Sequence, residues 1–413
     1  MSEQISTEIV IIGGGIGGLA AAYALAQIGK SVCVLEQAPE FAEIGAGIQL
    51  GPNSYKMFQR LGIVDEVNAI SAFPDDLRMR DSVTGEFIAQ IPAAEDFRKR
   101  FGFPYAVIHR ADLHKTFLNK CLASANVDLR VNSKMTEITE TESGVRVTTE
   151  AGLVVEADAL IGADGIWSKT RELIANDGPP RVSGHIAYRA VLPTEEVPEE
   201  LRTNSMCLWA GEKAHLVQYP LRGGELYNLV AVFHSDRFSE GWNDFGDPEE
   251  LKLRFADKCT EVRTLLDKIE NWRMWVLNDR NPIREWVKGP MALLGDAAHP
   301  MLQYLAQGAN MAIEDAVCLV DMLVNENGNY EAAFVRYRDA RYLRTTRVQM
   351  TARLYGEVYH ASGATRDMRN AEISSWPVEK HYLGMSWIYD ISPTWRDDGS
   401  VEAIGENIAT AAQ

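Results

Sequence analysis

The sequence predicts an α/β fold with a β-rich segment set into its middle. Three observations carry this. Residues 8–36, EIVIIGGGIGGLAAAYALAQIGKSVCVLE, read as strand, glycine turn, helix and strand. Two later stretches, Ala157–Arg171 and Gly289–Leu323, each read as a strand, a tight turn and a helix start. Between them, from about Ser183 to Trp286, β-formers and a hairpin signal take over.

The first stretch is apolar from Ile9 to Ala26, about the 18 residues at which a membrane helix is considered. Five glycines between Gly13 and Gly18 argue against one, because each weakens a helix. Met1–Glu8 carries Glu3 and Glu8 and no Lys or Arg, so it lacks the positive region of a secretory signal. The run also divides by residue type. Ile9–Ile12 is β-branched, as a buried parallel strand is. Leu19–Gln27 is rich in Ala and Leu, Gly29 ends the helix, and Ser31–Leu35 returns to β-formers.

The spacing Gly13-x-Gly15-x-x-Gly18 fits G-x-G-x-x-G at the first turn. Gly13 permits the turn, Gly15 lets backbone approach a pyrophosphate, and Gly18 lets helix and strand pack closely. The free N–H groups and positive end of the helix would hold the pyrophosphate. Glu36 ends the second strand about 20 residues on, placed to accept from a ribose diol. Strand, helix, strand and acid in order point to an ADP-containing dinucleotide. A glycine-rich turn without a ligand is the alternative.

Composition narrows the class. The chain has 413 residues, enough for one large or two ordinary domains. A net charge of −17 disfavours nucleic acid and anionic membranes as partners. The five cysteines form no C-x-x-C pair, and most sit in apolar context, which predicts buried free thiols in a reducing compartment. No metal site, membrane span or internal repeat is evident, and a cytoplasmic location is expected.

In Ala157–Arg171, Asp164-Gly165 is a turn signal and Ser168–Arg171 opens a helix. In Gly289–Leu323, the strand Met291–Leu294 runs into Gly295-Asp296. The loop Gln307-Gly308-Ala309-Asn310 then leads into a helix with Met311, Val317, Leu319, Val320 and Leu323 at helical spacing. The segment PYAVIHRADLHKTF, Pro104–Phe117, contributes Arg110.

Together these motifs resemble the single-component flavoprotein aromatic hydroxylases, the family typified by p-hydroxybenzoate hydroxylase and salicylate hydroxylase. The resemblance runs from about Ile9 to about Met350. It implies FAD as cofactor, in an FAD-binding Rossmann-like (GR2-type) fold with an inserted mixed β-sheet substrate domain. FAD-binding parts are then expected at residues 1–75, 106–182 and 287–350. Substrate-domain parts are expected at 76–105 and 183–286, and a C-terminal helical segment at 351–413. The implied cofactor residues are Gly13, Gly15, Gly18, Glu36, Ala46, Gly47, Arg110, Asp164, Asp296, Gly308, Ala309 and Asn310. Asp296, after a strand, can accept from ribityl hydroxyls; a helix N-cap is its structural alternative, and a surface ion pair is that of Arg110. The helix after Asn310 would turn its positive end toward the flavin N1–C2=O edge. Past residue 150 no second G-x-G-x-x-G follows a strand, so NADH is expected to visit transiently.

The hairpin Lys213–Phe233 has two β-rich arms around Arg222-Gly223-Gly224-Glu225. Alternation puts His215, Val217 and Tyr219 on one face and Leu216 and Gln218 on the other. The family uses such a sheet as its substrate floor; a half-exposed strand is the alternative. Gln303, in HPMLQYLAQG, stands where most family members are expected to have proline. With His215, Tyr219 and Tyr105 it resembles the members that hydroxylate 3-hydroxybenzoate para to its hydroxyl, giving 2,5-dihydroxybenzoate (gentisate).

The implied chemistry uses NADH and O2: FAD is reduced, O2 adds at flavin C4a, and the terminal oxygen attacks a phenolate ring. His215 is the natural base for the phenol proton, with Gln303 bonding or positioning the phenolate. Tyr105 and Tyr219 would hold the ring and its carboxylate. Arg189 is a candidate for the carboxylate, with a structural ion pair as the preferred reading. Salicylate 1-hydroxylation and 6-hydroxynicotinate 3-hydroxylation are the alternatives within the class. A non-catalytic FAD-fold binding protein is the alternative outside it, and an isoprenoid saturase would want a long apolar tunnel.

Glu331–Tyr359 is charged and helical, and its five arginines predict a solvated or subunit face. The aromatic-rich Trp376–Trp395 is expected to cover the core or join a subunit contact, in a homodimer. After Asp397 the chain is expected to fray.

Overall fold

The structure is a computed structural model that describes residues 3–42, 45–235 and 244–405. Its first sheet has eight strands. Six form a path in the order Val287–Lys288, Met291–Leu293, Val154–Gly162, Gln4–Ile12, Val32–Leu35, Val127–Arg130. The antiparallel pair Met135–Thr141 and Gly144–Thr149 attaches to Val154–Gly162. Gln4–Ile12 lies parallel to both neighbours, with Ile9 opposite Val32 and Ala159. Its second half is buried on both faces, Ile9 and Ile11 against the helices and Val10 and Ile12 in a second cluster. That is why Ile9–Ile12 reads as an unbroken apolar run.

Helices Ile16–Gln27 and Gly308–Asn325 pack on each other and on this sheet. Gly13 takes φ +106°, and a Cβ there would lie 2.4 Å from the Ala163 carbonyl oxygen. A Cβ on Gly18 would lie 2.0 Å from the Gly13 oxygen. Helix and strand therefore approach at a distance only glycine permits. The helix ends at Gln27, with Gly29 at φ +79°. The helix Lys169–Ile174 follows the second turn, and Ser168 Oγ caps it by accepting from Arg171 N at 2.8 Å.

The second sheet also has eight strands: Asp244–Phe245, Arg273–Asp279, Arg181–Pro193, Leu226–His234, Ala214–Leu221, Ser205–Gly211, Asp76–Asp81 and Phe87–Pro92. The hairpin forms as the sequence predicts, with Arg222–Gly224 at its turn. A small third sheet joins Gly47–Leu50, Ala106–His109 and Ser71–Ala72.

Two expectations change, at the long helix and at the chain end, and between them Trp376–Trp395 takes the first of its two expected roles. The long helix Tyr330–Tyr359 is not a solvated arginine face throughout. Arg341 is fully buried, with Nε 2.7 Å from Asp315 and Nη1 2.5 Å from Glu314, and Arg344 joins the same Glu314 at 2.7 Å. Both acids sit inside helix Gly308–Asn325, so these cations pair across two helices instead of facing water. Trp376–Trp395 covers the core: Tyr382 and Tyr389 pack edge-on against Phe97 and Phe101 at 5.3–5.9 Å. The chain does not fray directly after Asp397. Ile404 is 1% exposed, its N–H reaches the Arg60 carbonyl at 2.8 Å, and Arg60 Nε donates to Glu402 O. Residues 406–413 lie outside the described residues.

Four of the five cysteines are buried, Cys259 is partly so, and all are free thiols. Among the described residues no helix is long and apolar enough to cross a membrane.

Candidate active site

A cavity of about 350 Å³ opens between the glycine turn of the first sheet and one face of the second. Gly15 and Gly17 form one end, Gly47–Gln49 and Arg110 one wall, and Gly295–Asp296 with Gly308–Ala309 another. His215, Val217 and Tyr219 form part of the floor, and Gln303, Tyr304 and Tyr359 close the far side.

The floor follows from strand register. Arg189 pairs with Val230, and Val230 pairs with Val217. Residues directly opposite one another share a face. His215 and Tyr219 lie one two-residue step to either side of Val217, on the same face. Leu216 instead packs into the core beneath the sheet, and Gln218 bonds Trp209 there.

The cofactor end is a cradle. Gly15 and Gly17 line the cavity beside the helix N-terminus, and helix Gly308–Asn325 starts at the cavity with no side-chain cap, where the first N–H groups of any helix lack intrahelical partners. A Cβ on Gly17 would come within 3.0 Å of Leu294. Glu36, expected to accept from a ribose, is absent from the cavity wall, and its two carboxylate oxygens accept from Gly14 N and Ala38 N, each at 2.8 Å. Asp296 makes no hydrogen bond among the described residues, so the helix-cap alternative fails. Its side chain is exposed, yet desolvation raises its carboxyl. The two agree because the surface it exposes is the wall of an interior cavity. These residues fit a bound dinucleotide whose hydroxyls donate to Asp296.

Other expected cofactor residues stand elsewhere. Asp164 is absent from the cavity wall; its carboxylate accepts from Ser168 Oγ at 2.5 Å and from Lys169 N at 2.8 Å, holding the start of the next helix. The Asn310 amide is consumed by Gly51 N, Ser54 Oγ, Gln49 O and Ala306 O, which tie the Gly47–Leu50 segment to helix Gly308–Asn325. Gly13, Gly18 and Ala46 shape the turns behind the wall: Ala46 O accepts from Arg110 N at 3.0 Å.

Tyr105 is also off the wall. It is 5% exposed, stacks edge-on with Phe97 at 6.3 Å, and donates to Gln49 Oε1. Gln49 reaches Tyr219 as well and itself lines the cavity. Gln49 therefore stands between the two tyrosines, a residue the sequence did not single out. Gly47 donates its N–H to Asn228 at 2.8 Å, and a Cβ there would strike the Tyr219 ring.

His215 is 2% exposed, and burial, then His185 and His234, lower its imidazole to about 3. Its Nδ1 lies 2.7 Å from His360 Nε2, and its Nε2 has no partner among the described residues. Gln303 does not stand alone, because its amide oxygen accepts from Arg189 Nη2. Arg189 meets no carboxylate among the described residues. Its Nε is buried and unpaired, Trp275 lies 5.5 Å from its guanidinium, and burial lowers it to about 10. The preferred reading of Arg189 as an ion pair is thus corrected: it is a buried cation facing an interior cavity.

The chain matches the FAD binding domain family over residues 6–350. It is 44% identical over 382 residues to "3-hydroxybenzoate 6-hydroxylase" of Polaromonas naphthalenivorans (strain CJ2), covering 92% of this chain and 95% of that protein. It is 42% identical over 394 residues to the protein of that name from Klebsiella oxytoca, covering 95% and 98%. Among solved structures, a salicylate hydroxylase substrate complex superposes with TM-score 0.80 at 26% identity, covering 94% of this chain and 96% of that one. HpxO of Klebsiella pneumoniae with FAD and uric acid gives 0.82 at 26%, covering 92% and 95%. The chain belongs to the FAD binding domain family, and within it is a flavin-dependent aromatic monooxygenase.

Proposed function

We propose that this protein hydroxylates 3-hydroxybenzoate para to its hydroxyl, giving 2,5-dihydroxybenzoate, with NADH as reductant and O2 as oxidant. FAD, when bound, supplies electrons from NADH to O2 and delivers one oxygen atom to the ring. Asp296 would hold it through the ribityl chain, Gly15 and Gly17 through the pyrophosphate, and Gly308 and Ala309 at the helix start near the flavin edge.

The observation that carries this reading is the pairing of a neutral imidazole with an uncompensated guanidinium on one cavity floor. An aromatic acid with a phenol needs both. Arg189 anchors the carboxylate as a bidentate ion pair. His215 Nε2, open to the cavity, accepts the phenol's hydrogen bond and takes its proton as the para carbon is attacked, when the developing charge makes the phenol a strong acid. Gln303, bound to Arg189 through its oxygen, keeps its NH2 for the phenolate. Tyr219 and Met206 pack the ring, Gln49 fixes the Tyr219 and Tyr105 hydroxyls, and the apolar wall at Leu208 and Val230 excludes water. NADH visits the open cavity transiently, and the protein works in the cytoplasm as a homodimer.

The test is chromatographic. Purified holoenzyme given NADH and 3-hydroxybenzoate should yield 2,5-dihydroxybenzoate as its main product, with salicylate and 6-hydroxynicotinate turned over far more slowly. A main product of 2,3- or 3,4-dihydroxybenzoate, or preference for either alternative acid, would overturn the reading.

A further inference from the structure

Behind the cavity floor, outside the wall, three more imidazoles meet. His185, His234 and His360 each present one ring nitrogen, and these three nitrogens lie within 4.8 Å of one another. His234 Nε2 and His360 Nδ1 are 3.0 Å apart. The His185 and His234 rings are 4.2 Å apart, centre to centre. His185 and His234 are paired across neighbouring strands, while His360 follows helix Tyr330–Tyr359. Sequence separations of 49 and 126 residues hide the group from any reading by spacing.

We propose that His185, His234 and His360 form a binding site for one transition-metal ion of the zinc class. Imidazole-only donors suit zinc, copper and nickel. Tetrahedral zinc at about 2.0–2.1 Å from each nitrogen needs them about 3.3 Å apart, so His185 must move in by at most about 1.5 Å. The outer nitrogens of two ligands are already held, as oriented metal ligands require. His360 Nε2 bonds His215 Nδ1 at 2.7 Å, and His185 Nδ1 bonds the Tyr304 hydroxyl. Among the described residues no carboxylate hydrogen-bonds any of the three. Glu357 lies near His234 and partly offsets Lys213 and Arg254, while Lys258 lies toward His360. Burial keeps the rings in the neutral form that binds metal. His234, half-buried, gives the ion a way in.

A metal on His360 Nδ1 fixes the His360 proton on Nε2, which then donates to His215 Nδ1. His215 must then carry its own proton on Nε2, facing the cavity. It becomes a donor where the phenol requires an acceptor, so metal binding should switch hydroxylation off. This coupling rests on the proposed role of His215; the site itself does not.

The test uses holoenzyme and Zn2+ alone, in competition with a chromophoric chelator. Wild type should bind one equivalent, and His234→Ala and His185→Ala should each weaken it more than about ten-fold. His234→Gln, at the half-buried end, serves if a deeper variant fails to fold. Wild type that takes no zinc from the chelator, or unchanged affinity in these variants, overturns the site. In parallel, saturating zinc should cut product formation more than ten-fold in wild type and leave His234→Ala unaffected. Zinc that binds without inhibiting would overturn the coupling. Failure of the His215 role shows separately, as full hydroxylation by His215→Ala, and leaves the zinc measurement standing.

Discussion

Arg189 donates to the side-chain oxygen of Gln303 across the cavity, while its own Nε stays buried without a partner. A buried guanidinium with spare donors is costly to maintain without an anion. The carboxylate of an aromatic acid meets that need. Arg189→Met should raise KM for 3-hydroxybenzoate about ten- to a hundred-fold, the usual worth of a hydrogen bond to a charged group. 3-Hydroxybenzyl alcohol, which lacks the charge, should lose little. Steady-state kinetics on both substrates check this; an equal loss on the two would assign Arg189 to the fold and not to the carboxylate.

His215 reaches the cavity through Nε2 and is held through Nδ1. His215→Ala removes the proton acceptor but touches none of the residues at the cofactor end. Bound FAD, read by its visible absorbance, should stay at wild-type stoichiometry. Product formation should fall by about two decades or more, the scale of a lost general base. Product formed with tight coupling of NADH to hydroxylation in this variant would remove His215 from the mechanism.

The parts legible in the sequence were those written in consecutive residues. The glycine spacing, the Gly29 stop and the hairpin alternation all depend on local backbone geometry, so 8–36 and 213–233 read correctly. Asp164 and Asn310 sit in the right motifs, but their side chains turn to helix starts and neighbouring backbone. Only the fold decides which way a polar group at a turn faces. Tyr105 lies one layer behind the expected position, because Gln49 stands between it and the cavity. For Arg189 the sequence favours an ion pair over the substrate carboxylate, and nothing local in HIAYRAVL tells the two apart. Its lack of a carboxylate depends on strands far apart in the chain. The histidines behind the floor come from two strands of one sheet and a helix end, and no period links them.

Arg341 is fully buried and joins Asp315 and Glu314, and Asp315 also accepts from Gly295 N at 3.1 Å and meets His299 Nε2 at 2.6 Å. Although burial pushes the Asp315 carboxyl up, His299 and Arg341 bring it down to about 2. One cation thus ties the long helix to the start of helix Gly308–Asn325 and to the turn that presents Asp296. Arg341→Met leaves two buried carboxylates short of a partner and should cost about 3–5 kcal/mol. Chemical denaturation should show a lowered midpoint, and FAD should dissociate more readily because the Gly295 turn loosens. Adding Glu314→Gln and Asp315→Asn should restore part of the stability. A loss under about 1 kcal/mol, the usual scale of an exposed pair, would contradict a structural role for this network.

The histidine group also sets a pH dependence. Burial first, then neighbouring histidines, lowers His185 to about 4 and His215 to about 3, and His360 and His234 fall in the same direction. The unfolded chain, with imidazoles near 6.5, binds more protons than the folded chain between those values. Stability from these groups is therefore full above about pH 6.5 and is lost as pH falls toward about 4. Asp315, lowered to about 2, acts in a separate window below about 4. Lys213, Arg254 and Lys258 deepen the histidine effect by repelling added charge, and Glu357 opposes it. The melting temperature of holoenzyme at saturating FAD should decline from pH 6.5 to 4.5. His185→Gln should flatten that decline, since Gln carries no proton to gain while still able to bond Tyr304. A wild-type melting temperature constant over this interval would mean that the buried imidazoles find water or counter-charge on protonation.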